Sequence, residues 1–419
     1  MSIFPDKPET STLKLFEAFG VELEYMIVDK ESLEIRALAD KLLTNATGIP
    51  LNDLAKDDIT WSNELAMHLV EFNFTKPEKT LAGKNIRFHK NILEANMILA
   101  KFNAKLLPTG MHPVLKPQTA DIRLWPYDNS EIYKTYDKIF NCKNHGWVNV
   151  QSSHLNLPFS GDDEFRRLHS AIRFVLPIIP ALAASSPFVE GKISQHLDSR
   201  LFYYRKNQTK VPEIGGDTIP EIMENIRDYQ EQILEKMYFA ISPFDSQKIL
   251  QGEWLNSRGA IARFDRSSIE IRLIDTQECA LADLAVLQII SHLVKWILEE
   301  KFENFNSIHD FKQDQLLEIF ESCIQFGDQA IVEDHEYLAI LNQGNPVAAK
   351  EIWSCLFDAL YSHEEKEEYQ MFIAQYKSHG TLASRLLKNM GSYPDELKIR
   401  NMYHELSRCL AENKVYTSP

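Results

Sequence analysis

Seven side chains carry most of the chemistry open to this sequence: Glu22 and Glu24 in FGVELEYMIVD, Glu71 in LVEFNF, His154 and Asn156 in SSHLNLPF, and Glu270 and Arg272 in SIEIRLID. Each segment alternates apolar and polar residues at a period of two, the pattern of a strand with one greasy and one polar face. Both carboxylates of the first segment therefore point the same way, and two residues along a strand span roughly 6.5 to 7 Å. An isolated ELE would be a half-exposed strand with its acids in water, but here the pattern recurs on four strands. Glutamates dominate, one His joins them and no Cys does, so the ligation is oxygen-rich and suits Mg²⁺ or Mn²⁺ better than zinc or iron. Arg272, two residues from Glu270, would sit where a phosphate bridged to the metal arrives. The set points to metal-assisted phosphoryl chemistry. There is no Walker loop or dinucleotide fingerprint, and fifteen glycines leave little backbone to cradle phosphates, so ATP would be held by metals and side chains.

The elements between these strands must bring them together. Pro77 and Glu78 open an expected helix to about Lys101, with Ile86, Leu93, Met97 and Ala100 at helical intervals. A second is expected over Tyr127 to Asn144. WVNVQSSHLNLPF reads as one strand whose phase slips at Ser152 and Ser153, the mark of a bulge. FVLPIIPALAASSP reads as a buried helix segmented by prolines, and Leu281 to Glu300 as a long amphipathic helix. The remainder is helical in pattern, with a frayed tail at Tyr416 to Pro419. The expected division is a sheet-bearing part, 1–300, and a helical part, 301–419, packed on it as one continuous domain.

Composition bounds the function. The chain has 419 residues, 44% hydrophobic and 25% charged, as in an ordinary globular protein. Forty-five basic against sixty acidic residues give −15, which argues against general binding to nucleic acid or anionic membrane. Five scattered cysteines fit reduced thiols in cytoplasm, with neither a disulfide framework nor a zinc module. No secretory leader is visible at the N-terminus. Phe174 to Ala184 and Leu281 to Leu298 are each too interrupted to read as a bilayer span.

From Phe19 to about Leu387 the ordered motifs FGVELEYMIVD, LVEFNF, GMHP, SSHLNLPF, RFVLPIIPALAASSPFVEG, DSR, SIEIRLID and HGTLASRLL resemble the type 2 glutamate–cysteine ligase family of carboxylate–amine ligases, relatives of glutamine synthetase. The resemblance implies an α+β fold, a twisted antiparallel sheet forming the floor of an open funnel with helices outside. It also implies ATP and Mg²⁺ as cofactors, amino-acid substrates, and an acyl phosphate of the glutamate γ-carboxylate that an amine then captures. Cysteine is the family's default amine, which would place the chain in glutathione biosynthesis.

Carried over by motif, Glu22, Glu24, Glu71, His154 and Glu270 are expected metal ligands, with Glu270 and Arg272 at the catalytic centre. Arg272 would hold the transferring phosphoryl group, Asn156 line the nucleotide or metal site, and Arg263 contact phosphate. Ser199 and Arg200 would receive the substrate's α-carboxylate. QSSHLNLPF departs from the QHVHVG type of the bacterial carboxylate–amine ligases, and RGAIARFDR, Arg258 to Arg266, lacks a firm counterpart. Two other readings use the same residues: a phosphotransferase of the guanidino-kinase type, and a non-catalytic nucleotide-binding sensor. Exposed edges of an open sheet would favour a homo-oligomer.

Overall fold

The computed structural model describes residues 13–301, 305–391 and 395–417. Its centre is β1 (Gly20–Asp29), whose apolar residues Val21, Leu23 and Tyr25 are fully buried. Around it are β2 (Asp53–Lys56), β3 (Ile59–Asn63), β4 (Leu69–Phe74), β5 (Ala104–Leu107) and β6 (Ser152–Pro158). A separate small hairpin, β7 (Phe188–Val189) with β8 (Lys192–Ile193), precedes β9 (Ala260–Arg263) and β10 (Ser268–Asp275). The main sheet runs β2-β3-β4-β1-β6-β10-β9, with β5 paired to the second half of β1, and every pairing is antiparallel. It is the open antiparallel sheet with outer helices that the α+β reading expected.

Register does the positioning. Glu24 lies opposite Glu71 on β4, Glu22 opposite His154 on β6, and Glu270 opposite Asn156. Because side chains alternate at a period of two, these pairs share one face. The opposite face packs on Gly161–Val175, Ile179–Ala183 and Ala280–Glu300. Ala280–Glu300 is long and apolar enough by composition to cross a membrane, contrary to the sequence reading, and it is mostly buried in this core.

Several boundaries differ from expectation, each for a local reason. The first long helix begins at Asn85, since Glu78 is held extended in an isolated bridge with Phe19. The buried face of this helix is Phe88, Ile92, Ala95 and Leu99, while Ile86, Leu93 and Met97 face outward. The expected helix over Tyr127 to Asn144 covers only Ser130–Phe140. Asn144 then caps a short helix, His145–Val148, by accepting from Gly146 N, so Trp147 is not on a strand. The bulge is not at Ser152 and Ser153 but on the partner strand, where β10 gains a residue between Ile271 and Ile274. Tyr416 is buried, its N–H donating to Glu278 at 3.1 Å, so the chain is docked there; Ser418 and Pro419 lie outside the described residues. The leader-free reading likewise falls partly on residues 1–12, outside them.

Candidate active site

The polar face of the sheet floors a cavity of about 820 Å³. Glu22, Glu24, Glu71, His154, Asn156, Arg200, Arg263, Glu270 and Arg272 all line it, so residues up to 250 positions apart in sequence converge. Ser199 does not: its hydroxyl donates to the His196 carbonyl at 3.0 Å, beneath the helix that begins there. The α-carboxylate expectation therefore rests on Arg200 alone.

His154 is the hub. Its Nδ1 is 2.8 Å from Glu22 Oε2 and 3.5 Å from Glu270 Oε1, and its Nε2 is 3.6 Å from Glu24 Oε1. Two groups of donor atoms lie within 4.8 Å of one another: Glu22, His154 and Glu270, and Glu24, Glu71 and His154. Carboxylates packed this way repel. Burial pushes the Glu71 carboxyl well above its ordinary range, and Glu22, Glu64 and Glu24 push further. Burial alone would lower the His154 imidazolium, but the hydrogen bond to Glu22 and the charge of Glu24 outweigh it and raise it.

Glu270 is the exception. Burial opposes its ionisation, yet Arg272, His154 and Arg263 overcome that and hold its carboxyl below the usual range. Arg272 grips Glu270 Oε1 with Nη2 at 2.5 Å and Nε at 3.1 Å, and Arg263 Nη1 reaches Oε2 at 3.1 Å. The bulge in β10 falls at Arg272 and Leu273, which have no register partner on β6, and bulges re-aim side chains; on the other side Arg272 N donates to the Gly259 carbonyl at 3.0 Å, extending the β9 register by one residue.

Glu64 is the residue that strand reasoning missed. It follows the last residue of β3, outside any alternating run, and lines the cavity. Burial, then Glu24, lift its carboxyl to about 8. No periodic signal marks it, since it lies in the connection between β3 and β4. Tyr133, Trp147, Tyr204 and Trp254 complete the walls from the helices and loops outside the sheet.

The donor set suits divalent magnesium-type cations. A cluster of buried carboxylates without enough counter-charge is costly unless cations join it. Three protein donors per ion leave positions for water and phosphate oxygens, as Mg²⁺ sites commonly have. Among the lining residues, Asn156 Oδ1, Arg200 Nη2, Ser268 Oγ and the Trp147 indole N–H are buried atoms without a hydrogen-bond partner.

The family model of glutamate–cysteine ligase family 2 matches residues 18–404, nearly the whole described chain. The chain belongs to glutamate–cysteine ligase family 2. An uncharacterized protein of Archaeoglobus fulgidus is 33% identical over 95% of this chain and 99% of its own length. A Legionella pneumophila protein provisionally named glutamate–cysteine ligase 2-1 is 24% identical over 68% of this chain and 67% of its own. Among solved structures, a glutamate–cysteine ligase from Francisella tularensis in complex with AMP superposes with a TM-score of 0.59 at 14% identity, covering 97% of this chain and 91% of that one. A bifunctional glutathione synthetase from Pasteurella multocida gives 0.51 at 15% identity, covering 95% of this chain and 52% of that one. At these identities the structural likeness is one of fold. Membership in the family rests on the family model.

Proposed function

We propose that this family 2 member is an ATP- and Mg²⁺-dependent carboxylate–amine ligase acting on the γ-carboxylate of a glutamate-like amino acid. The observation that carries the reading is the pair of donor groups sharing His154 on the cavity floor, with Arg263 and Arg272 fixed beside them by Glu270. A carboxylate oxygen of the substrate attacks the γ-phosphorus of ATP, the bond to ADP breaks, and an acyl phosphate forms. The amine nitrogen then attacks the acyl carbon, phosphate leaves, and the nitrogen loses a proton. Bound Mg²⁺ would draw the phosphate oxygens to the floor and screen their charge. The chain's own contribution is alignment and charge compensation. Arg272, clamped by two bonds to Glu270 and aimed by the bulge, faces the transferring group. Arg200, tied to Asp275 through Nε and to the Arg272 carbonyl through Nη1, lines the cavity and is the side chain assigned to a carboxylate of the amino acid. Cysteine is the acceptor that the family suggests.

The test is product identification after incubating the protein with ATP, Mg²⁺, glutamate and a mixture of amines. Amine-dependent phosphate release together with a γ-glutamyl amide is the expected result. A stable phosphorylated product with no amide would mean a phosphotransferase. Nucleotide binding without ADP formation would mean a sensor, and either outcome overturns the ligase reading.

A further inference from the structure

Three arginines approach the cavity from the β9–β10 hairpin, and they are not equivalent. Arg272 and Arg263 are both held by Glu270, Arg272 through Nε and Nη2 and Arg263 through Nη1, with Arg263 Nη2 also reaching Asp265 at 3.3 Å. Arg266, in the turn, lines the cavity too. Its guanidinium makes no hydrogen bond among the described residues: Glu22 Oε1 lies at 3.5 Å and Asp265 Oδ2 at 3.8 Å, and the side chain is 55% exposed. It is a cation at the rim with its donors unspent.

The turn that carries Arg266 is built to hold still. Ser267 adopts a left-handed φ of 50°, and its carbonyl accepts from Phe159 N at the end of β6 at 3.0 Å. Arg266 N bonds back to the Arg263 carbonyl at 3.1 Å. Phe264, inside the same turn, is wedged against Phe165 and Tyr229, ring centroids 6.0 and 5.6 Å away. Tyr229 also clamps the edge strand itself, its hydroxyl accepting from Ala262 N at 3.0 Å. An edge-strand N–H is thereby satisfied, and β9 is anchored from outside. The backbone of the hairpin is fixed on one side while the Arg266 side chain hangs over the other.

What lies beneath it selects the ligand. Glu22 belongs to the donor group with His154 and Glu270, and Asn156 Nδ2 donates to its Oε1 at 3.2 Å. A bare anion is repelled by this carboxylate floor; an anion accompanied by divalent cations is not. A single carboxylate does not need a third arginine where Arg263 and Arg272 already line the cavity. A polyphosphate spanning the floor does.

We infer that Arg266 is a ligand-touching residue that closes over the triphosphate tail of the nucleotide, discriminating ATP from AMP. This inference rests on the ligase reading only for the identity of the nucleotide. The hairpin holds the side chain within reach of the Glu22 cation position, and the guanidinium exchanges its loose contact with Glu22 for phosphate oxygens.

The experiment is calorimetric binding to the full chain with Mg²⁺, using ATP, ADP, AMP and inorganic tripolyphosphate as separate probes, for wild type, Arg266→Ala and Arg266→Lys. A charge-assisted hydrogen bond at a partly exposed site corresponds to roughly tenfold in affinity. Arg266→Ala is expected to weaken ATP and tripolyphosphate by about tenfold, leave AMP within about twofold, and leave the thermal transition unchanged; Arg266→Lys should recover part of the loss. Equal weakening of all the probes, unchanged ATP affinity, or failure of the wild type to bind either ATP or tripolyphosphate overturns the assignment. A glutamate titration run alongside that shows a loss of glutamate affinity alone in Arg266→Ala overturns it too, by making Arg266 a carboxylate reader. The two readings fail separately. The expected binding pattern in a protein that forms no amide removes the ligase and keeps Arg266; amide formation with unaltered ATP affinity in Arg266→Ala does the reverse.

Discussion

Glu64→Gln isolates the electrostatic logic of the site, because it removes one carboxylate from the crowd without changing its size. In the folded protein burial and Glu24 raise the Glu64 carboxyl to about 8, against 4.5 for the free side chain. Below pH 4.5 the group is protonated in both states and costs nothing. As pH rises through 4.5 to 8 the unfolded chain gives up its proton while the native chain keeps it, so native stability falls across that window. A shift of this size corresponds to an upper limit of about 5 kcal/mol, and relaxation and water at the cavity reduce it to about 2 kcal/mol. Glu64→Gln in metal-free protein should therefore gain on the order of 1–3 kcal/mol over wild type at pH 8.5 and almost nothing at pH 4.5, measured by urea denaturation in EDTA. Mg²⁺ reverses the sign. Binding requires the ionised carboxylate, so wild-type Mg²⁺ affinity should rise by up to about tenfold per pH unit between pH 6 and 8, and the Gln variant should bind weakly with a flatter profile. Equal stability of the two proteins at pH 8.5, together with matching Mg²⁺ titrations, would refute the placement of Glu64 in the cluster.

Other perturbations separate the remaining roles. Glu270→Gln removes the anion that holds Arg263 and Arg272, and Glu24→Gln removes a proposed metal donor; each should abolish turnover, by at least about a thousandfold, while circular dichroism stays that of the wild type. Arg200→Lys loses the planar fork and should raise KM for the amino-acid carboxylate by about tenfold with KM for ATP unchanged, whereas Ser199→Ala should leave both constants in place. Tyr229→Phe removes the hydroxyl that caps Ala262 N and should cost about 1 kcal/mol, with amide exchange accelerated at Ala262 and not in β1 when read by hydrogen-exchange mass spectrometry.

The floor of the site was legible because strand alternation is a local code. Glu22, Glu24, Glu71, His154, Asn156 and Glu270 each declare their face through apolar neighbours at a period of two, and antiparallel pairing then places them together. Glu64 carries no such declaration, since it sits in the connection between β3 and β4, where side-chain direction is set by tertiary contacts. The wall residues Trp147 and Tyr204 were hidden for a related reason. Trp147 was assigned to a strand that Asn144 converts into a helical turn, and its indole faces the cavity only because that turn packs on the helix Ser199–Tyr204. Helix Asn85–Ala100 shows the limit of periodicity from the other side. Its sequence supports two apolar stripes, and only the fold decides that Phe88, Ile92 and Leu99 go inward and Ile86, Leu93 and Met97 outward.

Hydrogen bonding around His154 carries the assignment of the donors one step further. Both donor groups include this residue, yet a neutral imidazole has one lone-pair nitrogen and one N–H. Ser152 decides which is which. Its hydroxyl donates to Glu24 Oε2 at 3.0 Å, so toward His154 Nε2, 2.9 Å away, it can only accept. Nε2 is then an N–H, and Nδ1, which donates to Glu22 Oε2 at 2.8 Å and lies 3.5 Å from Glu270 Oε1, is the nitrogen whose lone pair would become available to a cation on giving up its proton. A cation held at Glu22 and Glu270 would take the histidine, and one at Glu24 and Glu71 would be left a protein donor short. Glu64, coupled by charge to Glu24 and Glu71 alike, is the carboxylate positioned to supply it. Ser152→Ala should then free the tautomer: Mg²⁺ affinity falls several-fold and the imidazole ¹⁵N shifts, measured in metal-loaded protein, no longer report a single Nε2–H form. An unchanged Nε2–H signature in Ser152→Ala would mean that something other than the serine orients the ring, and the division of ligands between the two cations would have to be redrawn.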